Sequence, residues 1–107
     1  MFQVANYGIG GVYNAHPDPM MYSDRAGSGD LDEDKKVDFI TRGDRLATFM
    51  GYLSDVQLGG ATVFPNIGVS IAPERGSAAF WWNLYTNGRT DWLTMHGGCP
   101  VLVGSKW

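Results

Sequence analysis

The sequence predicts an all-β protein, built as an antiparallel sandwich, barrel or jelly roll, and two observations indicate this class. Short runs rich in β-branched and aromatic residues, which favour strands, recur along the 107-residue chain. Turns rich in glycine and proline separate these runs, and little of the chain reads as helix. Many short strands divided by such turns are typical of antiparallel sheets that pack face to face or close on themselves.

Length and composition limit the number of domains and the kinds of partner. At 107 residues the chain is expected to form one domain, residues 1–107, and its 44% hydrophobic and 13% aromatic content favours a packed core. With a net charge of −3 it has no basic stripe for nucleic acid phosphates, and no apolar run approaches the ~20 residues that span a bilayer. We therefore expect no nucleic acid and no membrane as partner. The abrupt ends at Met1 and Trp107 predict a domain truncated at both ends.

The first predicted strand covers residues 2–7, and the glycines that follow it allow a sharp turn. After this turn, prolines at positions 17 and 19 exclude a helix and favour an extended backbone. Side chains two positions apart on an extended segment share a face. His16 and Asp18 are therefore placed to converge on one ion.

The middle of the chain contains a polar segment followed by the longest predicted strand. Residues 22–44 are rich in glycine and charge, which predicts a solvated loop or short surface helix, with a mobile lid near the site as the alternative. Residues 45–54 are largely apolar on both faces, which is typical of a strand covered on both sides.

The second half of the chain contains further predicted strands, each bounded by glycine or proline. Asn87 and Gly88 are a strong hairpin signal. Phe80, Trp81 and Trp82 are expected to supply much of the core. The predicted strands cover residues 61–64, 69–72, 77–85 and 101–107.

Two histidines and an aspartate provide a candidate metal site. His16, Asp18 and His96, the only other histidine, make up a 2-His-1-carboxylate set, whose open coordination positions suit Fe(II) oxygenases. The set is a weak signal by itself. A surface histidine in a proline-rich turn and an ordinary aspartate would give the same spacing.

The end of the chain carries a lysine that needs an anionic partner. Alternation along residues 101–107 places Leu102, Gly104 and Lys106 on one face. If that face points inward, an ammonium group is buried, which is costly without a counter-charge. A dicarboxylate such as 2-oxoglutarate would provide one, with its far carboxylate on Lys106 and its 2-oxo acid end on the metal. A lysine that reaches solvent from a frayed end is the alternative.

The order of these features resembles the catalytic domain of collagen-type prolyl 4-hydroxylase α subunits. The resemblance runs over nearly the whole chain, is weakest between residues 19 and 44, and is most specific in the closing stretch. It implies a double-stranded β-helix, the jelly-roll fold of Fe(II)/2-oxoglutarate dioxygenases, here without its flanking helices and final strands. The stretches that carry the resemblance are residues 6–13, 16–18, 45–48, 59–65, 80–84 and 96–107.

The resemblance also implies roles for individual residues. His16, Asp18 and His96 would be the catalytic iron ligands. Lys106 would bind the C5 carboxylate of 2-oxoglutarate.

Other residues match the family in positions of lesser specificity. Tyr7 and Thr48 match positions that line the co-substrate pocket in related hydroxylases, and Tyr52 is a further candidate. Cys99 matches a family cysteine whose disulfide partner would lie beyond Trp107.

The implied reaction hydroxylates peptidyl proline at C4 in procollagen-type X-Pro-Gly substrates and oxidatively decarboxylates 2-oxoglutarate to succinate and CO2. It would use Fe(II), 2-oxoglutarate and O2, with L-ascorbate to restore oxidised iron. The family further implies protein disulfide isomerase as the β subunit of the full-length enzyme, and the endoplasmic reticulum lumen as its location.

The first metal-binding stretch departs from the family pattern. The family usually has Glu-Pro before the first histidine and a non-proline residue between the two ligands. Here Asn14 and Ala15 precede His16, and Pro17 stands between it and Asp18. Proline fixes φ at about −65°, which an extended segment accepts. We therefore expect iron binding to survive, with ligand geometry and activity as the properties that Pro17 would alter.

Two other functions stay open at this point. One is a catalytically weak or silent jelly-roll module that binds proline-rich peptide through its aromatic residues. The other is a cupin-like metal enzyme without 2-oxoglutarate, which offers no role for Lys106.

Overall fold

The computed structural model describes residues 2–19 and 43–107, and in these residues the chain is built almost entirely from strands. A short 3-10 turn, Trp92–Thr94, is the helical element of this part of the chain. The predicted all-β class is confirmed. The strands are β1 (Tyr13–His16), β2 (Ala47–Gly51), β3 (Leu58–Gly59), β4 (Thr62–Phe64), β5 (Val69–Ile71), β6 (Ala78–Trp82), β7 (His96–Gly98) and β8 (Val101–Val103).

Strand β7 is central to the main sheet. Within the described residues this antiparallel sheet has the order β1-β7-β4-β5, while β2 pairs with β6 and β3 with β8 in two separate ribbons. The register of β1 and β7 sets His16 opposite His96. The register of β4 and β7 sets Thr62 opposite Gly98. One strand therefore links the paired histidines to a buried threonine.

The core lies between the inward faces of β4 and β6. Phe64, Ala79 and Trp81 form its buried cluster, and Met50 and Ile71 pack against them. The rings of Phe64 and Trp81 meet edge to face with centroids 5.2 Å apart, an arrangement that aromatic pairs prefer. Burial alternates along β6, because successive side chains of a strand point to opposite faces.

The outer face of the β2–β6 ribbon carries large apolar side chains that are exposed in the described structure. Phe49 is 75% exposed, Phe80 54% and Trp82 55%. Phe49 pairs with Phe80, and the alternation that buries Trp81 turns both rings outward. The predictions that residues 45–54 are covered on both sides, and that Phe80 and Trp82 fill the core, are therefore wrong for the described residues.

The first predicted strand is reduced to a single bridge. Residues 2–6 form no strand, and Tyr7 bridges Lys106 through backbone hydrogen bonds of 2.9 Å in both directions. Strand β1 begins later, at Tyr13, and ends at His16, the first of the candidate metal ligands.

The last predicted strand is interrupted at Gly104. This glycine has a φ of 97°, a conformation that residues with a Cβ atom rarely adopt. Before it, Val101 is fully buried and Leu102 is 57% exposed; after it, Lys106 is 8% exposed. Lys106 points inward as predicted, but the alternation does not run through Gly104, and Leu102 lies on the outer side.

The hairpin predicted at Asn87 and Gly88 is confirmed. Gly88 has a φ of 81°, and the backbone N–H of Tyr85 donates to the carbonyl of Arg89 at 2.8 Å. The loop, helix or lid predicted for residues 22–44 falls mostly on residues outside the described ones. No helix in the described residues is long and apolar enough to cross a membrane.

Candidate active site

Three side chains from two paired strands converge at one end of the main sheet. His16 ends β1, His96 begins β7, and Asp18 follows β1 by two residues. One ligand atom from each lies within 4.8 Å of the others. Oδ1 of Asp18 lies 3.5 Å from Nε2 of His16 and 3.7 Å from Nε2 of His96. The structure thus brings together the three residues that the sequence grouped.

Backbone carbonyls orient both imidazole rings. Nδ1 of His16 lies 2.8 Å from the carbonyl oxygen of Asn14, and Nδ1 of His96 lies 2.9 Å from that of Thr94. A carbonyl can only accept, so each Nδ1 carries a proton, and in the neutral form of each ring Nε2 presents a lone pair. Both lone pairs belong to the atoms that face Asp18. Two imidazole nitrogens and one carboxylate oxygen are a donor set that fits Fe(II).

The two histidines differ in burial. His96 is 7% exposed and packs against Trp81 and Phe64, with ring centroids 4.6 and 5.6 Å away. His16 is partly exposed and meets the ring of Tyr13 edge to face at 4.3 Å. The cluster therefore has a fixed inner side and an accessible outer side, and Pro17 does not prevent the convergence of the residues beside it.

A second polar group surrounds Lys106. Its Nζ atom lies 3.4 Å from the hydroxyl of Thr62, which accepts a 2.8 Å hydrogen bond from the hydroxyl of Tyr52. The same Nζ lies 5.8 Å from the ring centroid of Tyr7 and 5.6 Å from that of Tyr52, within cation–π range. The structure therefore places Tyr7 and Tyr52 beside Lys106.

The charge of Lys106 has no carboxylate partner in the described part of the chain. Asp18, the carboxylate of the candidate metal site, pairs with the two histidines and not with Lys106. Burial lowers the pKa of Lys106 below its ordinary value, and the charge of Cys99 opposes this shift. Burial also raises the pKa of Tyr52, against the effect of its hydrogen bond to Thr62. A buried ammonium among hydroxyl groups is suited to bind an anion.

Thr48 lies at the candidate metal site and not at Lys106. Its hydroxyl donates a short hydrogen bond to Oδ2 of Asp18 and accepts one of 2.9 Å from Nδ2 of Asn83. None of these hydrogen bonds joins Thr48 to Lys106, so they do not support the co-substrate role expected for Thr48. Asn83 is 1% exposed, and its Oδ1 has no hydrogen-bond partner among the described residues. Such a buried acceptor costs about 1–3 kcal/mol.

Sequence reasoning missed two residues of these polar groups, Thr62 and Asn83. Strand alternation could have indicated both. Thr62 is two residues before the buried Phe64, and Asn83 is two residues after the buried Trp81. A polar residue on the inward face of a strand needs a polar partner, which marks it for a site.

Comparison with known proteins identifies the family. The model of the 2OG-Fe(II) oxygenase superfamily matches residues 2–107. Prolyl 4-hydroxylase subunit alpha-1 from Gallus gallus is 48% identical over 105 residues, which are 98% of this chain and 19% of that protein. Prolyl 4-hydroxylase subunit alpha-2 from the same organism is 49% identical over 107 residues, 100% of this chain and 18% of that protein. The chain thus spans about a fifth of these curated relatives.

A solved structure supports the same assignment. The viral collagen prolyl hydroxylase from Paramecium Bursaria Chlorella virus-1, in complex with 2OG, superposes with a TM-score of 0.74 at 31% identity, over 94% of this chain and 50% of that one. This likeness confirms the predicted jelly-roll fold. The chain belongs to the 2OG-Fe(II) oxygenase superfamily.

Proposed function

We propose that this chain is the catalytic domain of an Fe(II)- and 2-oxoglutarate-dependent dioxygenase that hydroxylates peptidyl proline at C4. The observation that carries the proposal is the pairing of the His16–Asp18–His96 cluster with a separate buried lysine that lacks a carboxylate partner in the described residues. A metal-binding jelly roll without 2-oxoglutarate would leave Lys106 without a function. The near-50% identity to prolyl 4-hydroxylase α subunits supports proline as the substrate residue.

His16, Asp18 and His96 would hold the iron. When bound, Fe(II) supplies the redox chemistry that activates dioxygen. The protein residues orient the donors, as the carbonyls of Asn14 and Thr94 do for the two imidazoles. Phe64 and Trp81 keep the inner side of the cluster apolar.

Lys106 would bind the far carboxylate of 2-oxoglutarate, assisted by the hydroxyls of Thr62 and Tyr52. The geometry of β7 supports separate sites for the metal and for the far carboxylate. His96 and Gly98 are two residues apart on that strand and share a face, about 6.8 Å apart along it. Nζ of Lys106 would lie 3.9 Å from a Cβ atom at Gly98. A side chain at Gly98 would therefore meet Lys106 on the face of β7 that His96 shares.

The biological setting is part of the same proposal. A procollagen-like, proline-rich peptide is the proposed substrate, and the solved relative is named a collagen prolyl hydroxylase. L-ascorbate as reductant, protein disulfide isomerase as partner of the full-length enzyme, and the endoplasmic reticulum lumen as location are supported by the family resemblance.

The decisive experiment measures succinate release from 2-oxoglutarate, with and without Fe(II) and with and without a Pro-Pro-Gly repeat peptide. We expect release that requires iron and increases with peptide, together with a 16-dalton mass gain per hydroxylated peptide proline. Peptide binding by calorimetry that is indifferent to iron and to chelator, with no succinate formed, would instead identify a silent peptide-binding module.

Substitutions at the two glycines of β7 should separate catalysis from folding. Gly98→Ala meets its neighbours at 3.6 Å or more, so the protein should fold, but the methyl group enters the space beside Lys106. We expect a higher KM for 2-oxoglutarate and little change in thermal stability. In Gly97→Ala the new Cβ would lie 2.9 Å from the carbonyl oxygen of Tyr13 and 3.1 Å from the backbone nitrogen of Ala15, so stability should fall. Equal KM values in Gly98→Ala and the parent chain would contradict the location of the pocket.

The affinity for 2-oxoglutarate should decrease as pH rises through the lowered pKa of Lys106. The protonated ammonium attracts the carboxylate and the neutral amine does not, so binding is strong below this pKa and weak above it. The raised pKa of Tyr52 keeps its hydroxyl protonated over the same range. Calorimetry on the metal-loaded protein should show the decrease below the ordinary pKa of lysine, and Lys106→Met should remove it. A decrease that persists in Lys106→Met would assign it to another group.

A further inference from the structure

We propose that Thr48 and Asn83 form a hydrogen-bonded relay that holds the carboxylate of Asp18 so that one oxygen alone faces the metal position. Both are positioning residues, since they act through Asp18. The inference rests on the proposed function, in which Asp18 is an iron ligand. It extends that function to two residues for which the sequence suggested either a different role or none.

The direction of each hydrogen bond in the relay follows from the chemistry of its end group. A carboxylate can only accept, so the hydroxyl proton of Thr48 goes to Oδ2 of Asp18. The oxygen of Thr48 is then free to accept, and Nδ2 of Asn83 donates to it at 2.9 Å. The amide of Asn83 must therefore present its nitrogen to Thr48.

The orientation of Asn83 leaves an unpaired acceptor, which points to a positioning role. Its Oδ1 is buried and has no partner among the described residues. Turning the amide would pair this oxygen with the hydroxyl of Thr48. That hydroxyl would then be lost to Asp18, whose Oδ2 would have no donor. The arrangement thus leaves one acceptor unpaired at Asn83 while it satisfies the carboxylate of the candidate ligand.

The strands on which the relay is built are fixed by backbone pairing. Thr48 lies opposite Trp81 in the β2–β6 ribbon. Asn83 follows this strand, and its backbone N–H donates to the carbonyl of Leu46 while its own carbonyl accepts from Asp91, both at 2.9 Å. Neither side chain needs to move for the relay to form.

A carboxylate held in this way would bind a metal ion through one atom. Oδ2 of Asp18 is occupied by Thr48, and Oδ1 is the atom that lies 3.5 and 3.7 Å from the two histidine Nε2 atoms. With two histidine nitrogens and this single oxygen as donors, a bound metal ion would keep positions open for other ligands. A second carboxylate oxygen on the metal would take a position that the co-substrate or dioxygen needs.

Metal titration tests the relay without requiring turnover. Co(II) binding to the chain is followed by its visible absorption in the parent protein and in Thr48→Val, Thr48→Ser and Asn83→Leu. Loss of a partner of a metal ligand weakens metal affinity by about 10–100-fold. We expect a loss of this size and a changed spectrum in Thr48→Val, recovery of both in Thr48→Ser, which keeps the hydroxyl, and a smaller loss in Asn83→Leu.

Asn83→Leu also keeps the test decisive if Thr48→Val fails to fold. Leucine removes the donor to Thr48 together with the unpaired oxygen, so thermal stability should be equal or higher while Co(II) affinity falls. A merely structural role of Asn83 would lower stability and leave affinity unchanged. If the parent binds Co(II) and all variants match it in affinity and spectrum, the relay is wrong and the proposed function stands. If the parent protein binds no Co(II), both the relay and the proposed function are wrong.

Discussion

Replacing Asp18 with alanine is expected to reduce iron-dependent succinate release from 2-oxoglutarate to background. Asp18 supplies the one carboxylate oxygen that faces both His16 and His96, at 3.5 and 3.7 Å. Without it, two neutral imidazoles hold a divalent ion with no compensating negative charge, and iron affinity should collapse. The measurement is succinate formation at saturating Fe(II), with iron binding followed in parallel.

The matched control for Asp18→Ala is Glu74→Ala. Glu74 is an exposed carboxylate outside both polar groups, so its loss should leave turnover unchanged. Thermal unfolding of the metal-free proteins establishes that both variants are folded. Turnover retained in Asp18→Ala, or in His16→Ala, would contradict the assignment of the iron site.

Replacing Lys106 with methionine is expected to raise the KM for 2-oxoglutarate by about 10- to 100-fold and to lower kcat less. A hydrogen bond to a charged group contributes about 1.5–3 kcal/mol, and each 1.4 kcal/mol changes an equilibrium constant tenfold. Methionine retains much of the length of lysine and removes the charge with its N–H donors, so the pocket keeps much of its shape. Steady-state kinetics at varied 2-oxoglutarate measures the change.

The same variant should be at least as stable as the parent when no ligand is bound. Lys106 is 8% exposed and has no carboxylate partner in the described part of the chain, so its ammonium opposes folding. Arg75→Met, an exposed cation exchanged for the same residue, is the control and should alter neither KM nor stability. Unchanged KM in Lys106→Met would contradict the co-substrate site, and a large loss of stability would indicate a structural role for the charge.

Much of the candidate site could be proposed from local sequence. Prolines at positions 17 and 19 imply an extended segment, and extension alone brings His16 and Asp18 to one face. The distant His96 could be grouped with them on chemistry and family resemblance, but not on geometry. Its position opposite His16 depends on the pairing of β1 with β7, two strands far apart in the chain.

The contacts of Thr48 could not be predicted from local sequence. Alternation indicates which side chains share a face of a strand, and Thr48 and Tyr52, an even number of residues apart, share one by this rule. It does not indicate what lies across from that face. In the folded chain the hydroxyl of Tyr52 meets Thr62, whereas that of Thr48 meets Asp18 and Asn83.

The sequence by itself determined the all-β class, the turn at Asn87 and Gly88, and the candidate ligands and lysine, because these follow from local backbone preferences and side-chain chemistry. Only the tertiary structure decided which faces are buried and which polar groups meet. Phe80 and Trp82 are as apolar as Trp81, yet they are exposed in the described residues. Gly104 shifts the strand alternation, so Lys106 points inward although Leu102 does not. The physical reason is that strand pairing is non-local: a strand's neighbours come from distant residues, and their identity is fixed only when the sheet closes.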